Sequence, residues 1–460
     1  MRGYQREGLG WLQFLQSFGF GGCLADDMGV GKTAQVLALL ETRRALRAQG
    51  KLSKPSIAVV PKSLVFNWRQ EAERFTPRLR VLDHTGLGRD VSQIADCDLV
   101  LTTYGTLRRD IALLQEIPFD YVILDEAQAI KNAQTDAAKA ARLLRGDHRL
   151  AMSGTPVENH IGELWSLFEF LNPGLLGSAS VFKAAGVNGR AMDDATLSLI
   201  KRGVRPFILR RTKEEVARDL PPKTEQTLYC ELEPRERKLY NQLRQHYRDS
   251  LLPQIGKQGV AKTRIQVLEA LLRLRQAACH PGLIDKEHGK RSSAKLDLLF
   301  EQLHDVLEEG HKALVFSQFT SLLDLVRKRL DAERIPHAYL DGKTRDRAAE
   351  VERFQTNAEV QLFLISLKAG GVGLNLTAAD YVFILDPWWN PAAEAQAVDR
   401  THRIGQRRHV FAYRLITRDT VEEKVLELQK SKRALADAIL GGSTSLVRDL
   451  GREEIELLLS

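Results

Sequence analysis

The chain has 460 residues, 43% hydrophobic and 27% charged, an ordinary globular composition too long for a single core, so two or three domains are expected. No run of about 18 apolar residues occurs and the opening MRGYQREGLGWL lacks a signal-peptide core, which argues against a membrane span and against export. A formal charge of +8 favours a polyanionic partner, and four widely spaced cysteines (Cys23, Cys97, Cys230, Cys279) with no CxxC pair argue against a metal cage or disulfide framework and suit a reducing compartment.

In chain order, short apolar runs at 21–25, 56–61, 98–104, 121–125 and 149–155 predict buried strands, with helical patterns at 32–48, 63–75 and 133–145 between them. Continuous apolar strands alternating with helices predict an α/β lobe whose parallel sheet is covered on both faces. Residues of about 160–290 read as helical and rich in Arg, Lys, Glu and Gln, with breaks expected at Pro173, Pro206, Pro221, Pro222, Pro253 and Pro281. The alternation then returns, with strands expected at 312–318, 337–341, 360–366, 381–386 and 410–416 and helices at 392–403 and 419–440, the last ending at Gly441–Gly442. A loop and a short helix close the chain. The expected domains are 1–210, a first lobe with a helical protrusion at about 160–205; 211–290, a helical linker; 291–430, a second lobe; and 431–460, a helical tail.

Residues 25–33, ADDMGVGKT, follow a strand and open a helix, which is the context of a phosphate loop. Gly29 and Gly31 let the backbone of Asp27 and Met28 approach phosphate oxygens, Lys32 reaches the β/γ-phosphates and Thr33 ligates Mg²⁺. The strict GxxxxGK[ST] pattern fails, because Asp26 stands at its first glycine. In YVILDEAQ (121–128) an apolar strand ends in two acids, Asp125 to hold Mg²⁺ and Glu126 to polarise the attacking water. A GKT loop and an acid-tipped strand in one lobe predict ATP or GTP hydrolysis.

Taken together, ADDMGVGKT, DEAQ, MSGTPVEN (152–159), LRRTK (209–213), GGVGLNL (370–376), DPWWNP (386–391) and RTHRIGQ (400–406) resemble the superfamily-two helicase-like ATPases, and most closely the Swi/Snf-type DNA translocases, over about residues 2–440. The resemblance implies two RecA-like (P-loop) lobes with parallel sheets, a helical insert, ATP with Mg²⁺ in the cleft and duplex DNA across both lobes. Arg2 and Gln5 fall in the segment that resembles the adenine-recognition element, where Gln5 would select ATP. Gln128 replaces the more common histidine and would couple the ATP site to Ser153 and Thr155 of MSGTP. Lys62, Ser63, Thr103 and Tyr104 resemble backbone phosphate contacts of the first lobe, whereas Trp68 reads as core. Arg210 and Arg211 resemble a linker that braces the lobes.

In the second lobe, Gln396, Arg400 and Arg403 are expected on one helix face. The family uses these residues on ATP, with Arg400 and Arg403 as arginine fingers. Lys368, Gly371 and Gly373 would lie near ATP and DNA, with Gly373 on the nucleotide, and Ser317 and Gln318 would touch DNA phosphate. Trp388 and Trp389 read as packing. The implied protein is a monomeric double-stranded DNA translocase that remodels DNA-bound proteins, away from membranes. Its place would be the cytoplasm and nucleoid of a bacterium or archaeon, or the nucleus of a eukaryote. A strand-separating DNA or RNA helicase and an inactive DNA-binding scaffold remain the alternatives.

Overall fold

The computed structural model describes residues 1–86, 88–154, 161–177, 200, 202–216, 219–285, 287, 289, 293–367, 374–388, 391–429 and 452–460. The chain divides into two compact units, Met1–Asp219 and Leu220–Ser460. Among the described residues no helix is long and apolar enough to cross a membrane.

Among its described residues the first unit has seven strands: β1 (Gly22–Leu24), β2 (Ser56–Val60), β3 (Val81–Asp83), β4 (Leu99–Thr103), β5 (Pro118–Leu124), β6 (Arg145–Met152) and β7 (Ile208–Leu209). They pair in the order β3-β4-β2-β5-β6-β1-β7, every pair parallel. All of β2 and β4 and nearly all of β5 are buried. Successive side chains of a strand point to opposite faces, so both faces are covered, and this is why these strands read as unbroken apolar runs. All five strands expected here form. The two that the sequence does not announce, β3 and β7, are short edge strands with half-exposed side chains. Parallel pairing has a direct consequence for function. The loops that leave β1, β2, β4 and β5 all emerge at the same end of the sheet, bringing 25–31, 61–64, 103–105 and 125–128 onto one rim.

The second unit is another all-parallel sheet, with β8 (Lys223–Cys230), β9 (Ala313–Ser317), β10 (His337–Leu340), β11 (Leu362–Ser366), β12 (Tyr381–Ile384) and β13 (Val410–Thr417) in the order β10-β11-β9-β12-β13-β8. β8 lies in the stretch that reads as a helical linker, yet it pairs with β13 along its whole length. It is an edge strand, mostly exposed, so its sequence KTEQTLYC carries no apolar run. Residues 211–219 accordingly belong with the first unit, and 220–230 with the second.

The helices of the former linker, Pro234–Gln258 and Val260–Cys279, also belong to the second unit. Pro253 does not break the first of them. A proline inside a helix costs about 3 kcal/mol or more. Its neighbours Leu251 and Ile255 are buried with Tyr240, Leu271 and Leu274, and that packing offsets the cost. The helix expected at 392–403 is Pro391–Val398, shorter by five residues at its C-terminal end. Of the helix expected at 419–440, residues 421–429 are helical, 419 and 420 form the turn before them, and 430–440 lie outside the described residues.

A sealed ion pair fastens the second unit. Lys295, on helix Ala294–Glu308, places its ammonium 2.5 and 2.7 Å from the Glu422 carboxylate, and neither side chain reaches solvent. The same ammonium donates to the carbonyls of Leu385 (2.9 Å) and Leu415 (3.3 Å), joining the ends of two strands to this helix. Lys295→Met alone should lower stability by roughly 3–5 kcal/mol, seen as a lower urea midpoint, because Glu422 stays buried without its counter-charge. Adding Glu422→Leu should recover most of that loss.

Candidate active site

The phosphate loop of the first unit leaves β1 at Ala25 and ends where helix Lys32–Ala48 begins. Gly29 and Gly31 both take positive φ, at 81° and 83°. At Gly31 a Cβ would also come within 2.5 Å of Gln5 Nε2, so a side chain there would be strained by its backbone and would displace the Gln5 amide. The Lys32 ammonium donates to the carbonyls of Asp26 (2.6 Å) and Asp27 (3.1 Å). Burial lowers its pKa, and the carboxylates of Glu126 and Asp125 act in the opposite direction. Thr33 is half-buried on the first turn of the helix.

Asp26, the residue that breaks the strict loop pattern, is fully buried and bound to Arg211. The guanidinium meets its two carboxylate oxygens at 3.0 and 2.6 Å. Arg211 also donates to Gln35 Oε1 (3.0 Å) and to the Tyr4 carbonyl, and lies over the Tyr4 ring at 5.2 Å. The segment carrying Arg211 continues from β7 alongside the loop, with Ala25 and Asp27 donating to the carbonyls of Leu209 and Arg211 at 2.7 and 3.0 Å. Sequence reading assigns Arg211 to a brace between lobes. Its contacts instead build the floor of the loop, and the only signal for this was Asp26 standing where a glycine was expected.

The opening helix Gly3–Ser17 closes the same loop from above. Tyr4 Oη donates to the Val30 carbonyl at 2.6 Å. Gln5 uses both ends of its amide, accepting from Arg2 N (2.9 Å) and donating to Val30 O (3.2 Å). Arg2 reaches Asp219 at 3.1 Å.

Asp125 follows β5 and is buried. Its Oδ2 accepts from the Trp68 indole at 2.8 Å and its Oδ1 from Glu126 N at 2.9 Å. Burial, reinforced by the adjacent Glu126 charge, pushes its pKa up to about 7. Glu126 is held in the left-handed region at φ 49°, a conformation that costs energy for a non-glycine residue and clusters at functional sites. Gln128 Nε2 donates to Glu126 Oε2 at 2.6 Å, and Ser153 Oγ donates to Gln128 Oε1 at 3.3 Å. A hydrogen-bonded chain therefore runs from the acid pair to the MSGTP segment. That segment also touches the phosphate loop, since a Cβ on Gly154 would lie 2.7 Å from Met28 Cγ. Thr155 lies outside the described residues.

Beside the acids, the rim holds a depression of about 630 Å³ lined by Pro61, Lys62, Thr103, Tyr104, Gly105, Arg108, Arg109 and Asp136. Thr103 caps helix Tyr104–Leu114 by accepting from Thr106 N at 3.1 Å, and Tyr104 Oη donates to the Asp125 carbonyl at 2.8 Å. Lys62, Arg108 and Arg109 are exposed. The two arginines, on the outer face of the helix that Thr103 caps, were not anticipated.

In the second unit the expected arrangement changes. Gln396 sits on helix Pro391–Val398, but Arg400 and Arg403 fall on the turns after it, so the three do not share a helix face. After Val398 the chain turns, with Thr401 Oγ1 donating to the Val398 carbonyl at 2.8 Å beside the backbone N–H groups of Thr401 and His402, both at 3.1 Å. Gln406 then ties the turns down, donating to the carbonyls of Ala379 and Thr377 at 2.7 and 3.2 Å and accepting from the backbone of Arg407 and Arg408. Arg400 is buried and Arg403 half-buried. Ser317 also departs from expectation. It is fully buried and donates to Asp386 Oδ1 at 2.5 Å, so it buttresses a strand end and faces no phosphate. Gln318 accepts from Arg275 at 3.2 Å. Trp388 packs against the second core. Lys368, Gly371, Gly373 and Trp389 lie outside the described residues.

A phosphate loop and an acid-tipped strand on one parallel rim define the class as a P-loop α/β protein. Residues 4–283 match the SNF2-related domain and residues 294–405 the helicase conserved C-terminal domain. The chain thus belongs to the SNF2-related family. It is 38% identical to YwqA of Bacillus subtilis, named as an ATP-dependent helicase/translocase, over all of this chain and 51% of that protein. With the yeast TATA-binding protein-associated factor MOT1 it shares 33% identity over 97% of this chain and 28% of that one. The chain spans about half the length of YwqA and less of MOT1. A solved Sulfolobus solfataricus SWI2/SNF2 ATPase core in complex with dsDNA is 36% identical over all of this chain and 96% of that one, with a TM-score of 0.48.

The Asp26–Arg211 pair gives a direct test. Asp26→Gly restores the strict loop pattern but leaves a largely buried guanidinium without its carboxylate. It should therefore destabilise the first unit by roughly 3–5 kcal/mol, measured by thermal or urea unfolding.

Proposed function

We propose that the chain is an ATP-hydrolysing translocase on double-stranded DNA that remodels DNA-bound proteins. The observation that carries this reading is the meeting of three features on one rim: the GKT loop, the Asp125–Glu126 pair, and a depression lined by Lys62, Arg108 and Arg109 whose Tyr104 is bonded to Asp125. The names of the relatives, an ATP-dependent helicase/translocase among them, point the same way.

The buried Asp125 carboxylate, next to a second acid and in the field of Lys32, suits a divalent cation held together with phosphate oxygens. Asp125 and Thr33 would hold Mg²⁺, which when bound neutralises phosphate charge. Lys32 then binds the β/γ-phosphates, moving from its loop carbonyls. Gln5, with Arg2 beside it, lies where an adenine edge would be read, and the backbone from Asp27 to Gly31 cradles phosphate. Glu126 orients the attacking water and takes its proton, and Gln128 fixes the Glu126 carboxylate. Arg400 and Arg403 supply positive charge to the transferring phosphoryl group, with Gln396 and Gly373 near the nucleotide, on the family resemblance. Lys62, Thr103 and Tyr104, with Arg108 and Arg109, contact duplex phosphates, and Gln318, Lys368 and Gly371 serve the second unit. Such contacts position the duplex and carry no sequence information.

ATPase rates against duplex DNA, single-stranded DNA and RNA test the reading, and stimulation by duplex DNA above the other two is expected. Displacement of a triplex-forming strand without duplex unwinding should accompany it; unwinding would make the chain a strand-separating helicase instead. Glu126→Gln should lower kcat by about 10²–10⁴-fold, the usual contribution of a general base, and an unchanged rate would remove Glu126 from this role. Lys62→Ala should weaken duplex binding equally for all sequences and reduce the slope of log affinity against log salt by about 1.

A further inference from the structure

Trp68 is the side chain of the rim that sequence reading leaves in the core, and it is indeed fully buried. Its one polar atom is not spent on a backbone carbonyl. The indole N–H donates to Asp125 Oδ2 at 2.8 Å, while Glu126 N holds Oδ1. Trp68 lies on helix Val65–Phe75, directly after the turn Lys62–Leu64 that carries the exposed Lys62 of the basic depression. From the other side of the depression, Tyr104 reaches the carbonyl of the same aspartate. Both segments that flank the depression therefore end, in hydrogen bonds, on Asp125. A buried indole needs an acceptor, but any carbonyl would satisfy it. A donor-only group on a carboxylate at a strand end instead fixes which oxygen that carboxylate presents, as outer partners of metal ligands do.

We propose that Trp68 is a positioning residue for the Asp125 carboxylate, and that through its helix the occupancy of the basic depression by duplex DNA sets the geometry of the metal-holding oxygen. The proposal rests on the reading of Asp125 as the Mg²⁺ ligand and of the depression as a DNA face. It makes the turn Lys62–Leu64 with the helix Val65–Phe75 that follows it a lever between phosphate at Lys62 and the acid pair at Trp68.

Trp68→Phe keeps an aromatic ring and deletes the N–H. Mn²⁺ binding in the presence of ADP, followed by electron paramagnetic resonance, should weaken about 10-fold, the lower bound for loss of an outer partner. Stimulation of ATPase by duplex DNA should fall at least about fivefold while duplex affinity stays within about twofold. A purely structural tryptophan would lower the melting temperature and leave Mn²⁺ binding by the folded protein where it was. Mn²⁺ binding as tight as in the unaltered chain overturns the proposal, as does a fall in duplex affinity that matches the loss of stimulation. Should Trp68→Phe fail to fold, the Trp68 indole N–H resonance of the unaltered chain must move when duplex DNA is added, and an unmoved resonance likewise overturns it. Failure of the underlying reading looks different, because the unaltered chain itself would then show no stimulation by duplex DNA.

Discussion

A carboxylate sealed from water must be paired, and in this protein the pairing of Asp26 with Arg211 organises the nucleotide side of the first unit. One guanidinium joins the phosphate loop, the opening helix through Tyr4, the loop-borne helix through Gln35, and the short strand β7. These pieces come from residues 4, 26, 35 and 211, so the loop cannot take its shape until distant parts of the chain are in place. The pair also explains why a glycine is absent where the loop pattern wants one. The position supplies charge to hold the loop, and the turn itself is made by Gly29 and Gly31 with their positive φ.

The acid pair is held just as completely, from a different direction. Asp125 is fixed by an indole, a tyrosine hydroxyl and two backbone groups, and Glu126 by its unusual backbone and by Gln128. Each of these holding groups stands on a segment with a further contact: Trp68 and Tyr104 with the basic depression, Gln128 with Ser153. A site wired in this way can report on its surroundings, since a small shift in any of three segments changes what the two carboxylates present. Removing Gln128 would release Glu126 without touching the nucleotide loop.

The second unit places its strongest interactions elsewhere. Lys295–Glu422 and Arg275–Asp386 lie under the strand ends, with N···O distances of 2.5 and 3.6 Å. Gln406 serves the RTHRIGQ turns as a knot of five hydrogen bonds with backbone groups. The last residue of that signature thus shapes the turns on which Arg400 and Arg403 stand, by donating to the carbonyls of Thr377, Ala379 and Thr401.

The sequence by itself determined the two parallel sheets, ten of their strands, the phosphate loop and the acid-tipped strand. These follow from local pattern, because a strand buried on both faces is an apolar run and a turn with positive φ needs glycine. Strands β3, β7 and β8 were invisible to that logic, since an edge strand exposed to water carries no such run. Tertiary structure alone decided the side-chain partnerships. Arg211 reads as a linker arginine until Asp26 is found beneath it, Ser317 reads as a phosphate contact until Asp386 takes its hydroxyl, and a helix expected to continue to 403 gives way to turns after Val398. Trp68 reads as core and is core, yet its single N–H lies on the carboxylate of Asp125. Burial is legible from hydrophobicity along the chain; the acceptor that the buried Trp68 donor finds stands 57 positions away, and only folding brings the two together.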